Sequence, residues 1–300
     1  MRAVLTTGNQ DLRVTDIATP EPGTGQVRIR VRAAAVNPVD LSTADGMFHN
    51  LGLLPPDAVV GIGWDVSGVV DAVGAEVRAF RPGDEVVGLR TGFDAGIGTY
   101  SEQVVLNADA IAPLPAGLDL TRAAAVPLIA QTAAQAIALL GPQVKTLLVT
   151  GSSGGVGSYA IPLAARRGLT VTALGKADDA ERLRESGADV VATSLEDVQG
   201  QRFDAVLDPA VIGTDLFTFI VDAGQYVGLI PAAVPPSERE IEVEAVSVHA
   251  DGTELAGLLI DVAAGRLPLR IAGEFPLAEV QKAHAAVAAK AAPGRLLVTA

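Results

Sequence analysis

Leu147, Leu148 and Val149 form a short apolar run that breaks, after Thr150, into Gly151-Ser152-Ser153-Gly154-Gly155-Val156-Gly157, and a segment of helical composition follows. Glycines let a backbone turn sharply and approach a diphosphate closely, and a helix starting there points its positive end at the phosphates. The arrangement therefore reads as the strand, turn and helix of a dinucleotide site. The phosphate loop of nucleotide hydrolases is the nearest competitor, but it ends in Gly-Lys-Ser/Thr, whereas Gly157 is followed by Ser158 and Tyr159. A turn with a purely structural purpose is the other alternative. Against it stands a second apolar strand, Leu169–Leu174, closed by Gly175-Lys176 where a βαβ unit requires one. Pro162 falls inside the expected helix, where its ring removes a hydrogen bond and a kink is expected.

Composition narrows the chemistry. Cysteine is absent, which excludes disulfides, thiol nucleophiles and thiolate zinc sites. The three histidines, His49, His249 and His284, are far apart and form no His-Glu-x-x-His pattern, so no metal is expected. A net charge of −13 argues against nucleic acid as a partner, and a phosphate-bearing cofactor must be held by local dipoles and a few placed cations. No apolar run is long enough for a membrane span, and polar Thr6–Gln10 follows Met1–Leu5 too early for a secretory signal. The expected location is the cytoplasm, without membrane association.

The texture changes along the chain. Val27–Val31 alternates with Arg28 and Arg30, Val66–Val73 reads as strand, and Val77–Val87 carries the turn Arg81-Pro82-Gly83-Asp84, together suggesting a compact barrel. From about Leu120, alanine-rich helical segments alternate with short apolar strands, including Ala205–Leu207 and Tyr226–Ile230, as a doubly wound parallel sheet demands. An amphipathic helix (Leu277, Val280, His284, Val287) and a final strand, Arg295–Thr299, return to the first domain. The expected division is 1–119 with 263–300, and 120–262.

Asn37-Pro38-Val39-Asp40, Gly63-Trp64-Asp65-Val66-Ser67-Gly68, Gly98-Thr99-Tyr100-Ser101-Glu102, Gln131-Thr132-Ala133, the turn 151–157, and Phe275-Pro276-Leu277 with Ala283-His284 and Gly294-Arg295 occur in that order. Across nearly its full length the chain thus resembles the zinc-independent quinone oxidoreductase branch of the medium-chain dehydrogenase/reductase family. The resemblance implies an α/β protein, a GroES-like β-barrel domain plus a Rossmann domain with a doubly wound parallel sheet, assembled as a homodimer through the Rossmann sheet edge. It implies Asn37 beside the nicotinamide or the substrate carbonyl, with Asp40 as its catalytic companion, and Thr132 at the nicotinamide–ribose end. Gly151, Ser152, Ser153, Gly154, Gly155, Val156 and Gly157 would hold the diphosphate. Gly175, Lys176 and Asp208 would be further cofactor-binding positions, with Leu229 and Ile230 lining the nicotinamide pocket. Two departures stand out. The cysteine and histidine ligands of zinc-dependent relatives are missing, and the loop after Asp40 has Ser42 and Ala44 where relatives carry tyrosine and arginine. A smaller, less basic pocket is expected, and the substrate stays open.

Cofactor choice is a question of charge. An NADH-preferring site places a carboxylate after the second strand; this chain has Leu174-Gly175-Lys176, and Lys176 can pair with a 2′-phosphate, although Asp178 and Asp179 oppose it. NADPH is the expected cofactor. With neither metal nor an obvious acid–base pair, the natural chemistry is hydride transfer to a quinone or an α,β-unsaturated carbonyl. Plainer roles compete: Asn37 shaping a turn before Pro38, Asp40 capping a helix, Lys176 as a solvated loop residue, Tyr100 as packing, and His284 as a structural residue. His49 follows Met47-Phe48 in a loop, where contact with a substrate is the lesser of its two readings. A dedicated biosynthetic enoyl reductase and a non-catalytic NADPH-binding redox sensor are the alternative functions.

Overall fold

The computed structural model describes residues 1–92, 96–290 and 293–300. The chain forms two compact units, one of Met1–Leu128, His249–Gly265 and Leu269–Ala300, the other of Ile129–Val248 with Arg266–Pro268. The boundaries fall at 128/129 and 248/249, not at the expected 119/120 and 262/263. Helix Gly252–Ala263 accounts for the second difference. A Cβ on Gly252 would lie 2.2 Å from the carbonyl oxygen of Ile111, so this helix start packs on a barrel strand at a distance only glycine allows.

The first unit holds a three-stranded sheet (Arg13–Asp16, Arg2–Thr6, Val60–Gly61) and a seven-stranded one. The larger sheet runs Ile271–Pro276, Arg295–Thr299, Gln26–Ala35, Asp65–Val73, Glu85–Leu89, Ile111–Pro113, with Gln103–Asn107 also paired to Gln26–Ala35. The alternation read at Val27, Ile29 and Val31 buries those three side chains with Val66, Val70, Val86 and Val104, while Arg30 faces solvent. Full burial of such a side chain contributes about 1.5–3 kcal/mol, which fixes the strand's register. Of the segment Val77–Val87 only its end becomes strand, because the Pro82-Gly83 turn precedes Glu85–Leu89.

The second unit is a six-stranded, all-parallel sheet in the order Val190–Ala192, Thr170–Leu174, Thr146–Val149, Phe203–Asp208, Ile220–Gly228, Glu242–Ala245. Counted along the chain this is 3-2-1-4-5-6, the order of dinucleotide-binding sheets. Leu147, Leu148 and Val149 are all fully buried, as a central parallel strand covered on both faces requires. Helix Gly155–Arg166 continues through Pro162. The later crossovers differ from the expected helices. The connections after Asp208 and Gly228 use the 3-10 turns Gly213–Phe219 and Pro231–Ala233, because Pro209, Gly213, Pro231, Pro235 and Pro236 interrupt any helical run. Among the described residues no helix is long and apolar enough to cross a membrane.

Candidate functional site

In the second unit the glycine turn sits at the carboxyl end of the central strand. Gly151 has a φ of +54°, a left-handed conformation suited to glycine. Ser152 closes the turn onto the sheet: its amide donates to the Leu174 carbonyl (3.0 Å) and its hydroxyl to that of Val149 (2.8 Å). Gly154 is the N-cap of helix Gly155–Arg166 and lies exposed, and a Cβ there would meet only the Gly151 carbonyl, at 3.1 Å. Gly157 has a different purpose, since its Cβ would come within 2.5 Å of that same carbonyl oxygen. One glycine keeps space open at the helix start; the other lets helix and turn pack. The first-turn amides have no acceptor within the helix, so an anion over Gly154 meets aligned donors and the positive helix end. These residues fit a diphosphate.

The other expected cofactor residues divide. Lys176 is exposed just beyond the second strand, its amide donating to Ser153 Oγ (2.9 Å), so Ser153 holds the Lys176 backbone in place. Of the two opposing acids, Asp179 is paired with Arg182 Nη2 at 2.8 Å, leaving Asp178 exposed. Thr132 is nearly buried on helix Pro127–Leu139, and Leu229 and Ile230 follow strand Ile220–Gly228 instead of ending it, with Ile230 exposed. Asp208 faces inward. It is fully buried, accepting from Thr150 Oγ1 (2.5 Å), Tyr226 Oη (2.8 Å) and the Gly213 amide (2.9 Å). Its oxygens thus bind three strand ends and the following turn together. A lone acid after an apolar strand looks the same in sequence whether it faces a ligand or its own fold.

In the first unit, Asn37 and Asp40 enter a buried polar network. Helix Pro38–Ala44 starts with proline at its first position, and Asp40 Oδ2 accepts from the Asn37 amide at 2.8 Å, one arm of a capping box. The same oxygen accepts from Tyr100 Oη at 3.1 Å. Asn37 Nδ2 donates to Asp65 Oδ2 (2.8 Å), and its Oδ1 accepts from Arg295. Asp65 also receives the Leu128 amide (2.6 Å) and Arg295 Nη2 (3.2 Å). Asn37, Asp40 and Asp65 are all 0% exposed. Both ends of the Asn37 amide are therefore used internally, and the helix-capping role of Asp40 is the one realised. Sequence reading missed Asp65 and Arg295 as a pair; a lone acid inside the apolar run 62–70 was the available signal.

Two carboxylates share one cation here. Asp65 touches Arg295, whereas burial, reinforced by the charge on Asp65, pushes Asp40 up to about 7 despite its two donors. Asp40 thus carries a proton in the folded chain at pH values where it is ionised unfolded, near 4 and above. That difference favours the fold fully below about pH 4 and is lost as pH rises through about 7. Asp40→Asn, which keeps an acceptor for Asn37 and Tyr100, is expected to lose this falling slope. Urea midpoints from pH 4 to 8 check it: parallel wild-type and variant profiles would exclude a proton on Asp40.

Nearby, His284 is buried with its ring edge against Tyr100 at 5.8 Å between centroids, and burial lowers its pKa to about 4, so it is neutral. The Nε2 of His49 lies 3.0 Å from the Ala58 carbonyl within its own loop. Ala44 packs into the core around Val4 and Leu277, and Ser42 is half-buried. Among the described residues no group of three or more histidine, aspartate or glutamate side chains is arranged to hold a metal.

A parallel 3-2-1-4-5-6 sheet with an open glycine turn is the fold of the dinucleotide-binding class. Residues 23–116 match the alcohol dehydrogenase GroES-like domain and residues 174–298 the zinc-binding dehydrogenase domain. A chloroplastic quinone-oxidoreductase homolog of Spinacia oleracea is 30% identical over 241 residues, 75% of this chain and 72% of that protein. The 2-methylene-furan-3-one reductase of Solanum lycopersicum is 32% identical over 236 residues, 75% of this chain but 60% of that protein, so the chain spans about three-fifths of that relative's length. The structure of the quinone oxidoreductase from Coxiella burnetii superimposes with a TM-score of 0.86 at 26% identity, covering 100% of this chain and 99% of that one. The chain belongs to the medium-chain dehydrogenase/reductase family, in its quinone oxidoreductase-like branch.

Proposed function

We propose that this protein is a zinc-independent oxidoreductase that transfers hydride from NADPH to a quinone or an α,β-unsaturated carbonyl. The observation that carries the reading is the exposed Gly154 at a helix start, at the end of the central strand of a 3-2-1-4-5-6 sheet. NADPH would supply the hydride. The first-turn amides of Gly155, Val156 and Gly157 hold the diphosphate, and Lys176 pairs with the 2′-phosphate while Arg182 occupies Asp179. Thr132, Leu229 and Ile230 serve the nicotinamide end. Asn37 and Asp40 act by position, anchoring the start of helix Pro38–Ala44. A conjugated acceptor spreads the incoming charge onto its own oxygen, so a chain lacking thiolate ligands needs no Lewis acid. Location in the cytoplasm and a homodimer joined along an edge of the parallel sheet complete the proposal; among the described residues the sheet's two terminal strands each leave one ladder edge unpaired.

The test follows nicotinamide absorbance with NADPH or NADH against benzoquinone, a naphthoquinone, a 2-alkenal and an enone, with and without chelator. Chelator-insensitive oxidation of NADPH in preference to NADH is expected. Activity confined to alkenes would favour a dedicated enoyl reductase, a reading the Ser42 and Ala44 replacements keep open. NADPH bound without turnover on any of these acceptors would overturn the quinone and enone reading, in favour of a dedicated substrate of another kind or a redox sensor.

A further inference from the structure

Three of the seven non-glycine residues with positive φ that the structure describes, Ala223 (+56°), Arg239 (+49°) and Glu240 (+59°), meet at one place in the second unit. The Ala223 amide donates to the Arg239 carbonyl at 3.0 Å, so the two strained segments brace each other. The Arg239 guanidinium donates to the Phe217 carbonyl and, at 3.1 Å, to that of Ile220, and pairs with Asp222 at 2.6 Å. Strained backbone persists only where its surroundings over-determine it, and such places cluster where ligands are held. Here it frames a cleft of about 510 Å³ whose lining includes Arg202, Thr214, Asp215, Thr218, Glu238 and Arg239. That is room for a small molecule, more than a lone ion needs. Arg202 directly precedes strand Phe203–Asp208, and Arg239 holds the first residue of strand Ile220–Gly228. Both guanidiniums thus stand at the amino ends of these strands, whereas the glycine turn follows the carboxyl end of their neighbour, roughly 20 Å of strand away.

The charges around the cleft are unevenly paired. Asp222 lies 2.6 Å from Arg239 but 3.9 Å from Arg202, and Glu238 is 3.6 Å from Arg239. Arg239 therefore takes both acids. Arg202, its side chain 54% exposed, keeps spare N–H groups beyond one bond to the Ile220 carbonyl (3.3 Å). Asp215, on the 3-10 turn Gly213–Phe219, is exposed and has no ion pair among the described residues. Thr214 and Thr218, also exposed, add two hydroxyls that donate or accept. A lone anion would find Asp215 and Glu238 opposing it, and a lone cation would find Arg202 and Arg239. A ligand carrying both signs meets a partner for each. We propose that this cleft binds a free α-amino acid, with its carboxylate on Arg202 and its ammonium on Asp215. The proposal is independent of the NADPH reading, since none of these residues belongs to the glycine turn or the segments assigned to the dinucleotide.

Saturation-transfer NMR of the whole protein with the common L-amino acids tests it, followed by calorimetric titration of the tightest binder. At least one should bind with a dissociation constant of about 1 mM or tighter. Arg202→Gln and Asp215→Asn change exposed side chains, so both variants should unfold at the wild-type midpoint. Each should nevertheless weaken amino-acid binding about tenfold, the loss of one of two charge contacts. The half-ligands separate the two contacts. The matching deaminated carboxylic acid should bind more weakly, and should respond to Arg202→Gln but not to Asp215→Asn. The matching decarboxylated amine should show the reverse. Silence of every amino acid would overturn the proposal, as would binding unchanged in both variants, or inorganic phosphate binding as tightly as the amino acid. Displacement of the amino acid by NADPH would also overturn it, by placing the ligand in the dinucleotide site.

Discussion

Arg295→Met is expected to remove about 3–5 kcal/mol of stability near neutral pH, as breaking a buried ion pair from one side generally does. Arg295 Nη2 is the cation in contact with Asp65, at 3.2 Å, and Asp65 is fully buried beside the equally buried Asp40. Without the guanidinium, Asp65 either keeps an uncompensated charge or takes up a proton in the fold. The loss should therefore shrink at acid pH, where the unfolded chain is protonated as well. Asn37 also loses the donor to its Oδ1, which adds an unsatisfied buried acceptor. Pairing the change with Asp65→Asn should recover most of the stability, because the leftover charge is what costs most. Urea denaturation of the wild type and the two variants measures this, and an Arg295→Met protein within about 1 kcal/mol of wild type, the range of an exposed pair, would contradict it.

Gly154→Asp separates folding from binding. Aspartate is among the best N-cap residues and its charge suits a helix start, so the free protein should be as stable as wild type or more so. The backbone there, with a φ of −84°, accepts any residue. The same carboxylate, however, occupies the space open to the diphosphate. Repulsion between charges about 4 Å apart is worth about 1–4 kcal/mol near a surface, and the lost close approach adds to it. NADPH affinity should fall about a hundredfold or more. Gly157→Ala is the contrast, since its new methyl would press on the Gly151 carbonyl and destabilise the fold itself. Thermal melts with NADPH titrations resolve the two, and an unaltered affinity in Gly154→Asp would place the phosphate site elsewhere.

Much of this architecture is legible in the chain. The turn 151–157, the alternation from Val27 to Val31 and the closing strand Arg295–Thr299 are local patterns, and each is realised in place. What escaped depends on partners far along the sequence. Asp208 closes onto Thr150 and Tyr226, and Asp65 onto Arg295, and no spacing rule reveals such pairs. Helix Gly252–Ala263 reads like any alanine- and leucine-rich helix, and only its close seat against Ile111 assigns it to the barrel unit. The 3-10 crossovers were foreshadowed by prolines and glycines, but the expected alternation of helices outweighed those signals. For the site residues the difficulty is direction. Composition indicates that an Asn37 or an Asp208 is polar, and only the fold decides whether it faces outward or binds its own neighbours.

Strand Arg295–Thr299 pairs with Gln26–Ala35, so the larger sheet of the first unit needs both early and late parts of the chain during synthesis. The barrel unit takes its chain from three separate segments, so the nascent first segment holds Asp65 without the cation that will pair with it and Asn37 without a donor to its Oδ1. The parallel sheet, by contrast, is almost wholly encoded within Ile129–Val248 and has all six strands available earlier. Pairings this distant in sequence are slow to form, because the chain loses its freedom before the contact rewards it. The order of synthesis thus lets the parallel-sheet unit mature before the barrel, with Arg295 arriving as the final charged residue of its network.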